Sequence, residues 1–227
     1  MTRCKKDEPK IPTTLNDIDG NNYNVIVIGT QVWMKENLKT TKYSNADLIG
    51  TTTPATLDIT TESSPKYQWA VGGDENNVAT YGRLYTWYAV TDSRNVCPTG
   101  WHLPNDTEWT TLINYLGNPS ISGGKIKEVG TLHWQSPNIG ATNESSFTAL
   151  PAGFRTNMVG DGLFPYKGLM GCWWSSSEMF VANYGILGGS ISLINNSAAV
   201  SNAEMSWSSA IGYTDKGQGF SVRCIRD

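Results

Sequence analysis

The chain has few side chains that could ligate metals or carry out redox chemistry: four cysteines and two histidines among 227 residues. The cysteines are Cys4, Cys97, Cys172 and Cys224, and no two of them form a CxxC pair. Because zinc sites use closely spaced cysteine and histidine ligands, no metal site is predicted. Cys97 and Cys224 allow two hypotheses: a disulfide, which would close a long loop and stabilise the fold, or two reduced and buried thiols.

Residues suited to acid–base catalysis are present, but not in a recognisable catalytic arrangement. No GxSxG nucleophile elbow occurs. Glu108 has no evident carboxylate partner of the kind that glycosidases use, and its position suits helix capping. His102 lies in a Pro/Gly corner, a position that suits a structural hydrogen-bonding role. His133 is therefore the better candidate base. We therefore predict that the protein is not an enzyme.

A polar turn at 72–77 contains Asp74 and Glu75, whose carboxylates could attract Ca²⁺. The stretch lacks the spaced acidic ligands of an EF-hand loop. A solvated turn is therefore the favoured interpretation, and no cofactor is predicted.

Composition and charge argue against several classes of partner. The formal net charge is −3 and the pI is near 5.4, so nothing indicates binding to nucleic acid or to an anionic membrane surface. No apolar run is long enough for a transmembrane helix, and residues 1–10 lack the apolar region of a signal peptide. Because 11% of residues are aromatic and only 16% are charged, a loop-rich extracytoplasmic domain is favoured.

Residues 1–14 are polar and charged and contain proline, which predicts a flexible tether before a single domain at 15–227. Within this tether, Cys4 followed by two lysines resembles the lipid-bearing first residue of a mature bacterial lipoprotein. The three residues before Cys4 are not a lipobox, so an ordinary tail cysteine is the alternative. Membrane contact is expected only through such a lipid.

The clearest element is a short amphipathic helix after the corner that begins at Cys97. Its apolar stripe is Trp109, Leu112, Ile113 and Leu116. This spacing matches the helical period. Asn105 lies at the expected N-cap, and Glu108 three residues later completes a capping box. The helix must bury its stripe, and the last strand at 219–226 is the expected partner.

Other elements follow from weaker patterns. Alternating residues and two turn signals predict a β-hairpin within 18–38. A second short helix is predicted at 81–90. Further strands are predicted at 66–70, 183–193 and 205–211, and an ordered loop at 132–154, because its aromatic side chains are costly to expose. The last strand is expected to return beside the start of the domain.

Six motifs resemble a known family in their order and spacing. They are IGTQVWMKENLKTTKY, YGRLYTWYAV, CPTGWHLPNDTEW, GGKIKEVGTLHWQSPNIGATNESSFTALPAGFR, WWSSSE and GFSVRCIRD. Together they resemble the Fibrobacter succinogenes major paralogous domain, over residues 17–227. The resemblance implies a secreted or surface-anchored bacterial protein, often an outer-membrane lipoprotein, of Bacteroidetes-type organisms.

A more distant similarity concerns the fold. The Cys97-Pro98 corner, the Glu108-Trp109 pair and the closing Gly219-Phe220 resemble parts of the sulfatase-modifying, formylglycine-generating enzymes. This similarity implies an α+β, C-type-lectin-like fold: a twisted, mostly antiparallel sheet with two flanking helices and long ordered loops. The catalysis of those enzymes is not carried over, because they need reactive cysteines in the late loop region. Here that region has only Cys172.

Such a scaffold presents loops on a rigid sheet, and loops of this kind often carry recognition. Aromatic rings stack on sugars or peptide side chains, and polar neighbours orient them. Adjacent Trp173 and Trp174 should face opposite sides of a strand, one inward and one able to present its ring. The candidate ligand-binding residues are Trp173, Trp174, Glu178, Asn183, Tyr184, Trp207 and Tyr213.

We therefore expect a non-catalytic domain that binds a glycan or a surface protein. A structural subunit of a surface assembly is the alternative, and an enzyme related to the sulfatase-modifying factors is the least favoured interpretation.

Overall fold

The structure, a computed structural model, describes residues 11–157, 164–200 and 212–227. Within these ranges the strands are β1 (Thr14–Asn16), β2 (Asn22–Ile28), β3 (Gln31–Met34), β4 (Gln68–Ala70), β5 (Arg83–Tyr85), β6 (Trp101–His102), β7 (Met170–Val181), β8 (Gly185–Ile194), β9 (Gly212–Thr214) and β10 (Ile225–Arg226). The helices are α1 (Val78–Tyr81), α2 (Trp87–Val90), α3 (Asp106–Tyr115) and α4 (Pro119–Ile126), with 3₁₀ turns at Val71–Gly73 and Glu75–Asn77. The fold is therefore α+β, as predicted.

The largest described sheet joins the two ends of the domain. Its antiparallel strands lie in the order β1-β2-β3-β10-β6. The predicted hairpin is confirmed, because β2 and β3 pair around the turn at Gly29. The predicted return of the last strand is also confirmed, since β10 lies between β3 and β6. Just before β10, Cys224 forms a disulfide with Cys97, with the two Cα atoms 6.0 Å apart.

Helix α3 confirms the capping prediction. The Asn105 side chain accepts a hydrogen bond from the Glu108 backbone N–H at 3.0 Å, and the Glu108 carboxylate accepts one from the Asn105 N–H at 2.8 Å. The predicted stripe is buried, and the Trp109 ring lies 4.8 Å from the Trp33 ring on β3. The same core cluster includes Ile225 of β10, so the expected partner strand does contribute to this packing.

The second predicted helix, at 81–90, is wrong as a continuous element. Residues Arg83–Tyr85 form strand β5, and helix occupies only Tyr81, the last residue of α1, and the single turn of α2. The backbone of β5 pairs with β4 on one side, and Tyr85 exchanges hydrogen bonds with Phe220 on the other. Tertiary pairing therefore overrides the local helical spacing.

Helix α4 is the element that the spacing of apolar residues does not predict. Asn118 caps it, with its side chain accepting from the Ser120 N–H at 2.9 Å, and Pro119 occupies the first turn. Its glycines allow close packing: a Cβ at Gly124 would lie 2.1 Å from the Gly140 carbonyl oxygen. Such close backbone approach explains glycine in a helix, where it is otherwise unfavourable.

Buried cations hold the long loops in place. Lys127 is fully buried, and its Nζ donates to the carbonyl oxygens of Ile139, Ile194 and Ser197 at 2.9, 3.1 and 2.8 Å. Burial lowers the pKa of Lys127 to about 8. Three carbonyl dipoles thus replace the water that this ammonium would otherwise bind.

Two buried arginines act in the same way. Arg155 donates to the carbonyl oxygens of Ala55 and Leu57, and Arg223 donates to the carbonyl of Phe147 and to Asn37 Oδ1. Burial lowers their pKa values to about 10 and about 9, respectively. The predicted ordered loop is confirmed, since its Trp134 and Phe147 are fully buried.

Candidate functional site

Strand β7 passes between the two main core clusters, and this position determines whether its tryptophans are buried or exposed. Trp173 belongs to one cluster and Trp174 to the other, so the prediction that they face opposite sides is confirmed. Both are 0% exposed. The prediction that one of them can present its ring to a ligand is therefore wrong, because the strand is covered on both faces.

Each indole N–H also has an internal acceptor. Trp173 Nε1 donates to Asn37 Oδ1 at 2.9 Å, and Trp174 Nε1 donates to the Tyr85 carbonyl oxygen at 2.6 Å. The Trp174 ring stacks on Phe220 of the closing segment, with centroids 4.4 Å apart. Both tryptophans therefore pack as core side chains whose N–H groups are satisfied internally.

Beyond these tryptophans the β7–β8 hairpin leaves the core. The pairing shifts register between Trp174 and Glu178, and it then continues through Phe180 opposite Ile186 to Val181 opposite Gly185. Asn183, in the connecting turn, has φ +70°, a left-handed conformation that asparagine tolerates better than most residues. A turn of this kind explains the choice of residue there.

We define the hairpin tip as residues 179–186. Its large side chains are exposed: Met179 by 44%, Phe180 by 72%, Tyr184 by 61% and Ile186 by 55%. Phe180 and Ile186 are cross-strand partners, so their side chains are neighbours on one face of the ribbon. The tip therefore presents an apolar and aromatic surface that the core does not cover.

Glu178 lies at the base of this tip. It pairs across the strands with Gly188, where an added Cβ would lie 2.5 Å from the Trp87 ring. Because cross-strand partners share a face, Glu178 is on the Trp87 side of the hairpin. Its carboxylate accepts a hydrogen bond from Lys216 Nζ at 2.5 Å, and this ammonium lies 4.0 Å from the Trp87 ring centroid. Glu178 is thus fixed in position while its side chain remains 48% exposed.

Tyr213, on β9, forms an internal hydrogen bond through its hydroxyl group. Its hydroxyl donates to Asp106 Oδ2 at 2.6 Å, and Ser175 Oγ donates to Asp106 Oδ1 at 2.5 Å. Burial, together with the neighbouring Asp106 carboxylate, raises the pKa of Tyr213 to about 12. These bonds attach the first turn of α3 to the antiparallel sheet of β7, β8 and β9, so Tyr213 is separated in role from the hairpin tip.

The structure therefore brings Glu178, Asn183 and Tyr184 together on one hairpin. Phe180 and Ile186 were missed by the sequence interpretation. The signal that could have found them is the Asn183 to Gly185 turn between two apolar runs, a pattern typical of a hairpin. Trp207, Cys4 and the strand predicted at 205–211 lie outside the described residues.

Both histidines contact carboxylates. His102 Nδ1 is 2.6 Å from Asp227 Oδ1, and its Nε2 is 2.8 Å from Glu108 Oε1. Burial opposes protonation of His102, but hydrogen bonds to the two carboxylates outweigh burial and raise its pKa.

Within the described ranges no group of three Cys, His, Asp or Glu side chains could hold a metal ion. Likewise, none of the described helices is long and apolar enough to cross a membrane.

Comparison with known families gives a match over most of the chain. Residues 26–226 match the Fibrobacter succinogenes major domain. The chain belongs to this family. No curated protein and no solved structure gave a significant match. The six motifs that suggested the Fibrobacter succinogenes major domain all lie wholly or mostly within the matched range.

Proposed function

We propose that this Fibrobacter succinogenes major domain is a non-catalytic binding module of a bacterial cell surface. The observation that carries the proposal is the hairpin tip, where Phe180 and Tyr184 are 72% and 61% exposed beside polar Asn183 and Glu178. Exposed aromatic rings that flank fixed polar groups suit carbohydrate, because a sugar offers an apolar C–H face and hydroxyl groups.

The remaining parts of the proposal rest on resemblance. A C-type-lectin-like scaffold, related distantly to the sulfatase-modifying enzymes, would present the hairpin, and lipid-bearing Cys4 would hold the domain at the outer membrane. A non-catalytic role fits the position of Cys172, which is 0% exposed within the first core cluster. A thiol in such surroundings packs as a small apolar group.

A glycan array on the purified domain tests the proposal, with Phe180→Ala and Tyr184→Ala as variants. Val27→Ala is the matched control, because Val27 is a 54% exposed apolar residue on β2, outside the hairpin tip. We expect a glycan signal that weakens at least about fivefold in both tip variants and is unchanged in the control. A blank array, or equal loss in all three variants, would contradict the proposal.

A specific observation also supports the second candidate, a structural subunit of a surface assembly. Strand β9 pairs with β8 only at Gly188, Gly189 and Ser190. Among the described residues, the ribbon edges at 179–181 and 185–187 have no further strand partner. Exposed edges can accept a strand from a neighbouring chain. A blank array combined with partner proteins that co-purify with the wild type, but not with Phe180→Pro, would favour this role.

A further inference from the structure

A second cluster of chemically active side chains lies where two loops meet helix α1. The Tyr81 ring is 5.7 Å from the His133 ring at 81° between planes, and Lys167 Nζ lies 5.7 Å from the same tyrosine ring centroid. The two loops are joined, because the Gln135 N–H donates to the Gly168 carbonyl oxygen at 2.8 Å. Tyr81 is therefore near both a histidine and a lysine, and a hydrogen bond couples the two loops that carry them.

The histidine is oriented by a carboxylate. His133 Nδ1 is 2.9 Å from both carboxylate oxygens of Glu128. An ionised carboxylate only accepts hydrogen bonds, so Nδ1 carries the proton. The backbone of Glu128 is fixed in turn, since its carbonyl accepts a hydrogen bond from the buried Asn138 side chain at 2.9 Å. Among the described residues, His133 Nε2 has no hydrogen-bond partner, and the side chain is 24% exposed.

Lys167 differs from most other described lysines. Four of those form ion pairs with carboxylates: Lys42, Lys66, Lys125 and Lys216. Within the described part of the chain, the only polar partner of Lys167 is Asn77 Oδ1, at a long 3.4 Å. The Tyr81 hydroxyl also has no partner there, and burial, followed by the charge of Glu128, raises the pKa of Tyr81. Within the described residues, the Tyr81 hydroxyl and His133 Nε2 are thus without a hydrogen-bond partner, and Lys167 has only one long hydrogen bond.

We propose that Tyr81, His133 and Lys167 form a binding site for a ligand that carries a carboxylate group. Lysine N–H and tyrosine O–H groups donate to carboxylate oxygens, and charged hydrogen bonds of this type are strong. Nε2 of His133 accepts from a ligand hydroxyl or, as imidazolium, donates to the second carboxylate oxygen. Exposed Leu132 (81%) and Tyr166 (53%) directly precede His133 and Lys167 in the chain, so they would offer apolar surface next to the site. The site uses elements other than the hairpin tip, so it does not depend on the function proposed above.

Calorimetric titration of the folded domain with an oligogalacturonate, and separately with its neutral methyl ester, tests this site. A short peptide with a free C-terminal carboxylate distinguishes a protein-derived ligand from an acidic saccharide. We expect one of the two acids to bind, the ester to bind at least about tenfold more weakly, and Lys167→Gln to weaken the acid by a similar factor. His133→Gln should give a smaller loss.

Lys39→Gln is the matched control. Lys39 Nζ lies 5.3 Å from the Tyr23 ring centroid, a lysine–tyrosine pair like that of Lys167 and Tyr81 but without a histidine. The control should bind the acid like the wild type. The proposal is overturned if neither acid binds, if the ester binds as tightly as the acid, or if both lysine variants lose the same affinity. Retained binding in Phe180→Ala separates this site from the hairpin tip.

Discussion

The two halves of the β7–β8 hairpin are continuous in the chain but differ in their surroundings. At the inner half, Trp173 and Trp174 are 0% exposed and donate their N–H groups to internal acceptors. At the outer half, Phe180 and Tyr184 are more than half exposed. One pair of strands therefore carries fully buried tryptophans at its inner end and exposed aromatic rings at its outer end.

This contrast shows that aromatic residues on one strand need not share a role. The inner half has core on both faces, while the outer half extends beyond the register shift that follows Trp174. Mutations on the inner half should therefore act on stability, and mutations on the hairpin tip should act on binding. The predictions below test that division.

The largest effect is expected for Trp174→Ala. Loss of a fully buried indole removes transfer free energy and leaves a cavity beside Phe220, so the free energy of unfolding should fall by about 3–5 kcal/mol. Guanidinium denaturation followed by circular dichroism measures this change. A loss below about 1 kcal/mol would mean that Trp174 is not a core residue, and the division between the two halves would fail.

The closing segment supports the inner half, because the backbone N–H of Trp174 donates to the Ser221 carbonyl oxygen at 3.1 Å. The disulfide three residues later, at Cys224, should stabilise this contact. Replacing Cys97 and Cys224 together with serine should lower the free energy of unfolding by about 2–4 kcal/mol, since the unfolded chain gains entropy. Equal stability of the oxidised and reduced wild-type protein would contradict this prediction.

A smaller, pH-dependent effect is expected at His102, which joins the first turn of α3 to Asp227. Its pKa is raised in the folded state, so its stabilisation is fully present below the unfolded value of about 6.5 and is lost as pH rises through the folded pKa. The stability difference between wild type and His102→Gln should therefore be greater at about pH 5.5 than at about pH 8.5. A difference that is constant, or that grows with pH, would refute it.

The smallest effect on stability is expected at the hairpin tip. Phe180→Ala should change the free energy of unfolding by no more than about 0.5 kcal/mol, because the ring is already 72% exposed. The same denaturation experiment used for Trp174→Ala gives a direct comparison. Destabilisation by more than about 2 kcal/mol would show that the tip packs against part of the domain and is not a free binding surface.

Some features could be predicted from the sequence because their causes are local. Helix α3 follows from its stripe and from the Asn105–Glu108 capping box, both of which involve residues within one or two turns. The hairpin of β2 and β3 follows from alternation and a glycine turn. The disulfide remained one of two hypotheses, since the spacing of two cysteines does not show that their Cα atoms lie 6.0 Å apart.

Other features depended on contacts between distant segments. Strand β5 replaced a predicted helix because Tyr85 pairs with Phe220, far along the chain. The prediction that Trp173 or Trp174 presents its ring was wrong, because the core clusters on both faces of β7 include segments from both ends of the domain. The Tyr81–His133–Lys167 cluster could not be inferred, since its members come from three separate segments.

The sequence by itself determined the α+β class, the capped helix, the first hairpin and the family, because each depends on local spacing or on extended motifs. Tertiary structure alone decided which aromatic rings reach solvent, and which charged groups lie in the core. Burial is a property of all the segments that surround a side chain. A strand such as β7 carries the same alternation whether one face or both are covered, so only the packed chain separates its structural tryptophans from its exposed tip.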